Sequence, residues 1–221
     1  MHSFLEQGYA IHMEVLRSEE IAALAEEADR VAAEAGSACV RHLRKRSKLF
    51  RKFAKSDTLK AHLPEKMRPV RSILFDKTPD QNWPVAWHQD LTITVKEQKE
   101  IEGYGPWSEK DGAPHVQPPT SLLENMVTLR IHLDPTPEEN GALRVIPGSH
   151  LGGKDQSPQI TDEQAESAVT CTCEPGDVLM MSPLILHASS RSTQPTRRRI
   201  IHFEYARKKD LDPALAWHEP K

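Results

Sequence analysis

In Met126-Val127-Thr128-Leu129-Arg130-Ile131-His132-Leu133, apolar and polar side chains alternate from Val127 onward. In an extended strand, residues two apart share a face, so Val127, Leu129, Ile131 and Leu133 point one way and Thr128, Arg130 and His132 the other. The apolar face suits a core, and the polar face suits the lining of a pocket. Outward from this stretch lie similar short runs, Val70 to Phe75, Trp87 to Val95, Ala142 to Ile146, Val178 to Met181 and Ile200 to Tyr205, separated by Pro, Gly, Asn and Asp. Many short strands of this kind predict a mainly β fold with a closed sheet or jelly roll. A single domain is expected from 221 residues, with a helical part over 1–66, a β core over 67–207 and a tail over 208–221.

The N-terminal part reads as helix. Ser18 is placed to cap a helix whose first turn carries Glu19 and Glu20, with Ile21, Leu24, Ala25 and Ala28 at helical spacing and Gly36 as the stop. The basic stretch Arg41 to Lys55, interleaved with Leu43, Leu49, Phe50 and Phe53, predicts an amphipathic helix with a solvated basic face rather than a nucleic-acid arm. Residues Lys96 to Leu122 are rich in Pro and Gly and too long for a simple hairpin, which makes them a candidate lid.

Composition excludes several classes. Lys and Arg total 29 against 32 Asp and Glu, so a net charge of −3 offers no general attraction to nucleic acid or anionic membrane. No apolar run approaches the ~18 residues that span a bilayer, and no secretion signal opens the chain. Three Cys, two of them in the lone pattern Cys171-x-Cys173, do not suggest a disulfide framework. These features fit a cytoplasmic protein acting on a small molecule, and the oligomeric state is not legible.

The chemistry-bearing residues are two imidazoles, a carboxylate and a guanidinium. Two neutral His and one carboxylate bind one face of Fe(II) and leave three adjacent positions for small ligands. The chain holds two H-x-D pairs, His88/Asp90 and His132/Asp134. Asp134 opens the turn Asp-Pro-Thr-Pro-Glu-Glu-Asn-Gly and is expected to cap a loop, so the first pair is the candidate. His187 is the candidate third ligand: it ends Leu184-Ile185-Leu186, and small Ala188, Ser189 and Ser190 leave room beside it. His150 sits on turn chemistry and reads as structural, His202 as a core residue or one supporting the site, and His2, His12, His42, His62 and His218 as exposed. Trp83, Trp87, Trp107 and His115 are candidates to line the pocket, though lone aromatics more often belong to a core.

From about Phe75 to Tyr205 the chain resembles the phytanoyl-CoA dioxygenase family of Fe(II)/2-oxoglutarate oxygenases. The resemblance is carried by Trp87-His88-Gln89-Asp90, by Asn140-Gly141-Ala142-Leu143-Arg144-Val145-Ile146-Pro147-Gly148-Ser149-His150, and by Gly176-Asp177-Val178-Leu179 leading to Pro183-Leu184-Ile185-Leu186-His187-Ala188-Ser189. Gly8-Tyr9-Ala10 followed by the Ser18-Glu19-Glu20 helix start is similar too. The resemblance implies a double-stranded β-helix of jelly-roll type, iron held by His88, Asp90 and His187, and O2 and 2-oxoglutarate as co-substrates. It implies oxidative decarboxylation to succinate and CO2 coupled to hydroxylation of a C–H bond.

The family's arginine, eleven residues past the distal His, falls on Arg198 in Arg197-Arg198-Arg199, where its planar fork would grip the far carboxylate of 2-oxoglutarate. Strand alternation turns Arg197 and Arg199 to the other side, as a solvated edge. Ser189 matches a position bonded to the same carboxylate. Arg130 stands where the phytanoyl-CoA enzyme has Trp, which leaves open whether it meets 2-oxoglutarate or an anionic substrate, and Lys77, Thr128 and Gln89 complete the candidate set. Two rival readings stand beside this one. A same-fold halogenase is disfavoured because Asp90 fills the position halide would need, and a non-catalytic metal-holding β-barrel module is disfavoured by Arg198.

Overall fold

The computed structural model describes residues 2–194 and 196–219, the side chains of His2 and Ser3 excepted, so the expectation for His2 lies outside the described residues. The first half of the chain forms β1 (Tyr9–His12), β2 (Cys39–Arg41), β3 (Met67–Lys77), β4 (Val85–His88), β5 (Ile93–Thr94), β6 (Trp107–Lys110) and β7 (Ala113–Val116). The second half forms β8 (Val127–His132), β9 (Leu143–Val145), β10 (Val169–Cys171), β11 (Val178–Met181), β12 (His187–Ser189) and β13 (Arg198–Arg207). They make a six-stranded sheet, β1-β11-β8-β13-β3-β2, a four-stranded sheet, β10-β9-β12-β4, and a small sheet, β5-β7-β6. Every pairing is antiparallel. The mainly β, jelly-roll core is therefore present.

The alternation in β8 decides which way the large sheet faces. Val127, Leu129, Ile131 and Leu133 pack with Leu24, Ala28 and Val31 of the helix Ser18–Ala35 and with Phe50, Phe53 and Leu59. The helix begins one residue earlier than the sequence suggests. Arg17 is its cap, Ser18 is its first helical residue, and the Glu20 carboxylate accepts from the Arg17 backbone N–H at 3.1 Å. Gly36 ends it in the left-handed conformation as expected.

Four expectations need correction. The basic stretch is two short helices, Leu43–Arg46 and Lys48–Phe53, broken at Ser47. Its basic residues are not all solvated, since Arg44 is fully buried, donates to Pro69 O at 2.8 Å and faces Glu219 at 3.5 Å. The run Trp87 to Val95 splits after His88, because β4 pairs with β12 whereas β5 pairs with β7. Residues 96–122 contain the hairpin β6–β7, whose two-residue turn Asp111-Gly112 has positive φ at both positions, the conformation that matches strand twist.

The segment after 207 is no loose tail either. Leu211, Leu215 and Trp217 are buried with Val95, Val116 and Leu123. The Glu219 carboxylate accepts from the Ser72 N–H at 2.7 Å and its hydroxyl at 2.6 Å. Beside it, His42 is buried rather than exposed and its ring stacks on His218. His12 and His62, half-buried, stack on each other.

Candidate metal and co-substrate site

The two larger sheets flank a cavity of about 420 Å³, within the range that binds small molecules. Its floor is a ladder. On β3 the inward residues are Arg71, Ile73, Phe75 and Lys77, and opposite them on β13 stand Glu204, His202, Ile200 and Arg198. Antiparallel pairing sets Lys77 against Arg198 at one end, and the bulge at Glu204/Tyr205 still leaves Glu204 against Arg71 at the other.

The smaller sheet supplies the imidazoles. His88 ends β4 and pairs directly with His187 of β12, their ring centroids 4.2 Å apart. Each Nδ1 lies 2.8 Å from the carbonyl oxygen two residues earlier, Ala86 for His88 and Ile185 for His187. Donation from Nδ1 leaves Nε2 with its lone pair free, as a metal ligand requires. His187 Nε2 is 3.8 Å from Asp90 Oδ2, and His88 Nε2 is 4.0 Å from Asp90 Oδ1. All three donor atoms fall within 4.8 Å of one another, and this is the one such group of three among the described residues. Adjacent ligands at about 2.1 Å from a first-row cation would stand roughly 3 Å apart, so small side-chain rotations suffice to seat it.

Electrostatics agree with that use. Burial pushes the His187 imidazole down to about 4, which keeps it neutral, the form that binds a metal, near pH 7. Burial alone would raise the Asp90 carboxyl, but His187, His202, His88 and Arg71 together hold it below the usual carboxylate range. The loop carrying Asp90 is fixed by its own N–H, which donates to Pro183 O at 2.8 Å. Gln89 lines the cavity, yet its amide is committed elsewhere. It donates to Gly153 O at 2.9 Å and Leu184 O at 2.6 Å and accepts from the Asp155 N–H at 2.7 Å, so it braces the loop.

At the Lys77/Arg198 end, cations gather without a carboxylate among the described residues. Arg198 is buried and donates to the carbonyls of Asn140 and Gly141, and its Nε has no partner among the described residues. Gly141 has φ +67°, and a Cβ there would stand 2.6 Å from Ser190 O and 3.2 Å from the Arg198 guanidinium, so glycine lets the guanidinium come this close. Lys77 Nζ donates to Trp83 O at 2.5 Å and lies 3.5 Å from Ser189 Oγ. Burial, with Arg198 and Arg130 nearby, lowers Lys77 to about 7, and burial with Arg130 lowers Arg198 to about 10. Arg130 is also buried, 3.3 Å from His202 Nδ1 and over the Phe75 ring.

Not every candidate reaches the cavity. Thr128 is buried at the Glu204 rung but does not line the space, and its hydroxyl has no partner among the described residues. Arg197 and Arg199 do turn outward, though not as a solvated edge. Arg197 makes two bonds to Asp76 at 2.7 and 2.6 Å, and Arg199 grips Asp134 and Asp29. Trp83 lines the cavity, whereas Trp87 lies under Arg144, Trp107 packs against the Val95 cluster and His115 is buried beside Thr94. His150 bonds Leu5 O at 3.2 Å, the structural role expected of it. His202 supports the site, with Nε2 3.2 Å from Glu204.

Sequence reasoning missed Arg71, Arg41 and Lys110, which also line the cavity. Arg71 sits inside an apolar run, and only the period of two shared with Lys77 marks it.

Comparison with known proteins bears on the family and the fold. A curated relative, the dioxygenase peniF of Penicillium patulum, is 36% identical over 77 residues, a match spanning 35% of this chain but only 23% of that protein. The fold is shared with the epimerase SnoN of nogalamycin biosynthesis, solved with Fe3+, alpha-ketoglutarate and nogalamycin RO, at TM-score 0.70, 19% identity, and coverage of 99% of this chain and 84% of that one. HygX of Streptomyces hygroscopicus, solved with nickel, 2-oxoglutarate and hygromycin B, superposes at TM-score 0.64 with 17% identity over 94% of this chain and 86% of its own. The family model for phytanoyl-CoA dioxygenase matches residues 4–200, and with nearly the whole chain inside that match, the chain belongs to the phytanoyl-CoA dioxygenase family.

Proposed function

We propose that this Fe(II)- and 2-oxoglutarate-dependent oxygenase hydroxylates a C–H bond of a small molecule, with His88, Asp90 and His187 as its iron ligands. One observation carries the reading: the His-Asp-His group and the uncompensated Arg198 open onto the same cavity. Iron, 2-oxoglutarate and O2 supply the oxidising chemistry, in which one oxygen atom goes to succinate as CO2 is lost and the other to the substrate.

The chain's own residues bind, orient and exclude. The backbone carbonyls of Ala86 and Ile185 aim both imidazoles. Arg198, with Lys77 and Ser189, takes the far carboxylate of 2-oxoglutarate, a charge-assisted contact worth most in a water-poor site. Arg130, on β8 beside His202, lines the same cavity and would be available to a second carboxylate of 2-oxoglutarate or to the substrate. Trp83 and Leu91 line the space and keep water from the reacting centre. Asp90 occupies the position a halide would take, which favours hydroxylation over halogenation. Residues 96–122 supply Lys110 and Gln117 to the cavity lining, and Arg41 of β2 reaches Asp111 at the hairpin tip at 2.9 Å, an arrangement that would serve a cover. These residues form one unit with the rest of the chain.

Anaerobic addition of Fe(II) and 2-oxoglutarate should give a weak visible charge-transfer band that a metal-holding binding module would lack. Succinate release on admitting O2, with an oxygen atom from labelled O2 found in the product, completes the test. A product that is epimerised or cyclised without oxygen incorporation would replace hydroxylation with that reaction.

A further inference from the structure

The cavity carries more positive charge than one co-substrate can use, and it carries it in two places. The first place is the Lys77/Arg198 rung. The second is the mouth, where Arg71, Arg41 and Lys110 line the same space. Along β3, Arg71 and Lys77 stand six residues apart, about 20 Å at ~3.3 Å per residue. The carboxyl carbons of a five-carbon diacid lie four C–C bonds apart, about 5 Å. A single 2-oxoglutarate therefore cannot serve both ends.

The metal group separates them. Ser189 lies beside Lys77, His187 comes two residues earlier on the same strand and pairs with His88, and the chain then runs through Asp90 to Thr92, whose carbonyl accepts from Arg71 at 3.0 Å. A 2-oxoglutarate reaching from Arg198 to the metal occupies the first end only. At the mouth, Arg71 is buried and tied to Glu204 at 2.9 Å and Thr92 O at 3.0 Å, yet its Nε has no partner among the described residues. Arg41 is matched by Asp111, whereas Lys110, the residue before Asp111, has no carboxylate partner among the described residues. Lys110 feels both arginines: burial and the charges of Arg71 and Arg41 lower its ammonium below the ordinary value. Between the two ends Ile73, Val85 and Leu91 give the wall apolar surface beside the metal-ligand group, Arg130 and His202.

Resting on the oxygenase reading above, we infer that the substrate is a small molecule with an apolar body and one anionic head, a carboxylate or phosphate monoester, held at the mouth by Lys110 and Arg71. The head docks on the hairpin tip, and the apolar body then extends inward toward the metal ligands. The hairpin residue that closes the mouth is thus also the one that recognises what has entered.

The test uses protein loaded with Ni(II), which does not turn over, and saturating 2-oxoglutarate, so that Arg198 is already occupied. Octanoate, phenylacetate and phenyl phosphate are compared with methyl octanoate, methyl phenylacetate and phenol by ligand-observed saturation transfer and titration. We expect the anions to bind at least about tenfold tighter than their neutral partners, with the phosphate arm showing which head is preferred. Lys110→Glu should erase that preference, and Lys110→Arg should keep it. Lys110 is exposed, so neither change threatens the fold as removal of buried Arg71 would. Neutral compounds binding as well as anions, no anion binding at all, or a preference that survives Lys110→Glu would each overturn the inference. A parallel 2-oxoglutarate titration separates the two readings: normal co-substrate binding with no anion preference sinks this inference alone, whereas no 2-oxoglutarate binding sinks the oxygenase reading beneath it.

Discussion

His88-Gln89-Asp90 and His132-Leu133-Asp134 are the same three-residue pattern, and the fold takes them apart in opposite ways. His88 finds another imidazole directly across the sheet, and Asp90 leaves the strand on a braced loop that returns its carboxylate to both rings. His132 finds Ile200 across from it, gives its Nδ1 to the Thr136 hydroxyl at 2.9 Å, and is pushed down to about 3 by burial with Arg130 and Arg198 nearby. Asp134 is taken by Arg199, which binds it through backbone and guanidinium together. Spacing makes a pair of ligands possible. What stands across the strand, and whether a cation already owns the carboxylate, decides whether they become a site.

The widest separation between the two pairs should appear in metal content. His88→Ala or His187→Ala should lose bound iron and turnover outright, since two remaining ligands hold a labile ion poorly. His132→Ala should keep iron and lose only stability, on the order of 1–3 kcal/mol for a buried polar side chain. Elemental analysis and thermal melts read both, and an iron-free His132→Ala beside a normal His88→Ala would reverse the assignment.

Next in size is the contrast between adjacent arginines that face opposite ways. Arg198→Ala should raise the Michaelis constant for 2-oxoglutarate by tens-fold or more, for a loss on the order of 2–5 kcal/mol, and leave iron affinity near normal. Arg199→Ala should lower the melting temperature by several degrees, because it leaves Asp134 without its partner while Asp29 keeps Arg197 at 2.8 Å, yet change 2-oxoglutarate dependence little. The larger kinetic defect in Arg199→Ala would mean that the strand faces are reversed.

A smaller effect sharpens what surrounds the first pair. Burial, with Arg198 and Arg130 nearby, lowers Lys77 to about 7, and a bound carboxylate favours its charged form. Binding of 2-oxoglutarate should therefore take up a proton above about pH 7. Its affinity should fall as pH rises through that value, by no more than tenfold per unit. Calorimetry in buffers of different ionisation enthalpy measures the proton, and Lys77→Met should abolish both effects. Uptake that persists in that variant would place the titrating group elsewhere.

Smallest is the response of the mouth. Cleavage by trypsin within 96–122 should slow when metal, 2-oxoglutarate and substrate are bound, since a closed mouth holds the hairpin against β2. Equal cleavage in both states would make the segment a fixed cover.

Much of this was legible because it is written in local periods. The alternation in Val127 to Leu133 gave the sheet its two faces, and the turn after Asp134 pointed away from a ligand role for the second pair, whose carboxylate Arg199 holds. Three-residue strands such as β2, β10 and β12 carry too few residues to show a period, and only their partners define them. The hairpin in 96–122 was signalled by Asp111-Gly112 but masked by the surrounding prolines. Arg71 was hidden because a charge within an apolar run gives no sign of the buried carboxylate waiting for it, and Arg44 because one buried cation in a basic run reads like its solvated neighbours. Gln89 shows the converse: a polar residue between two ligands reads as a contact, yet its amide is used to hold a loop.

The way each imidazole is aimed has a wider consequence. Both rings take their orientation from a carbonyl two residues back in the chain, Ala86 on β4 and Ile185 in the turn before β12, so the direction of the metal-binding lone pairs is an inherited property of two short backbone segments. The 96–122 segment takes no part in it. Descendants of such a protein can exchange the whole 96–122 segment, and with it the molecules they admit, without relearning how to hold the metal. A transplant of that segment from a relative with a different substrate is, on these grounds, a route to new selectivity that starts from an already competent catalyst.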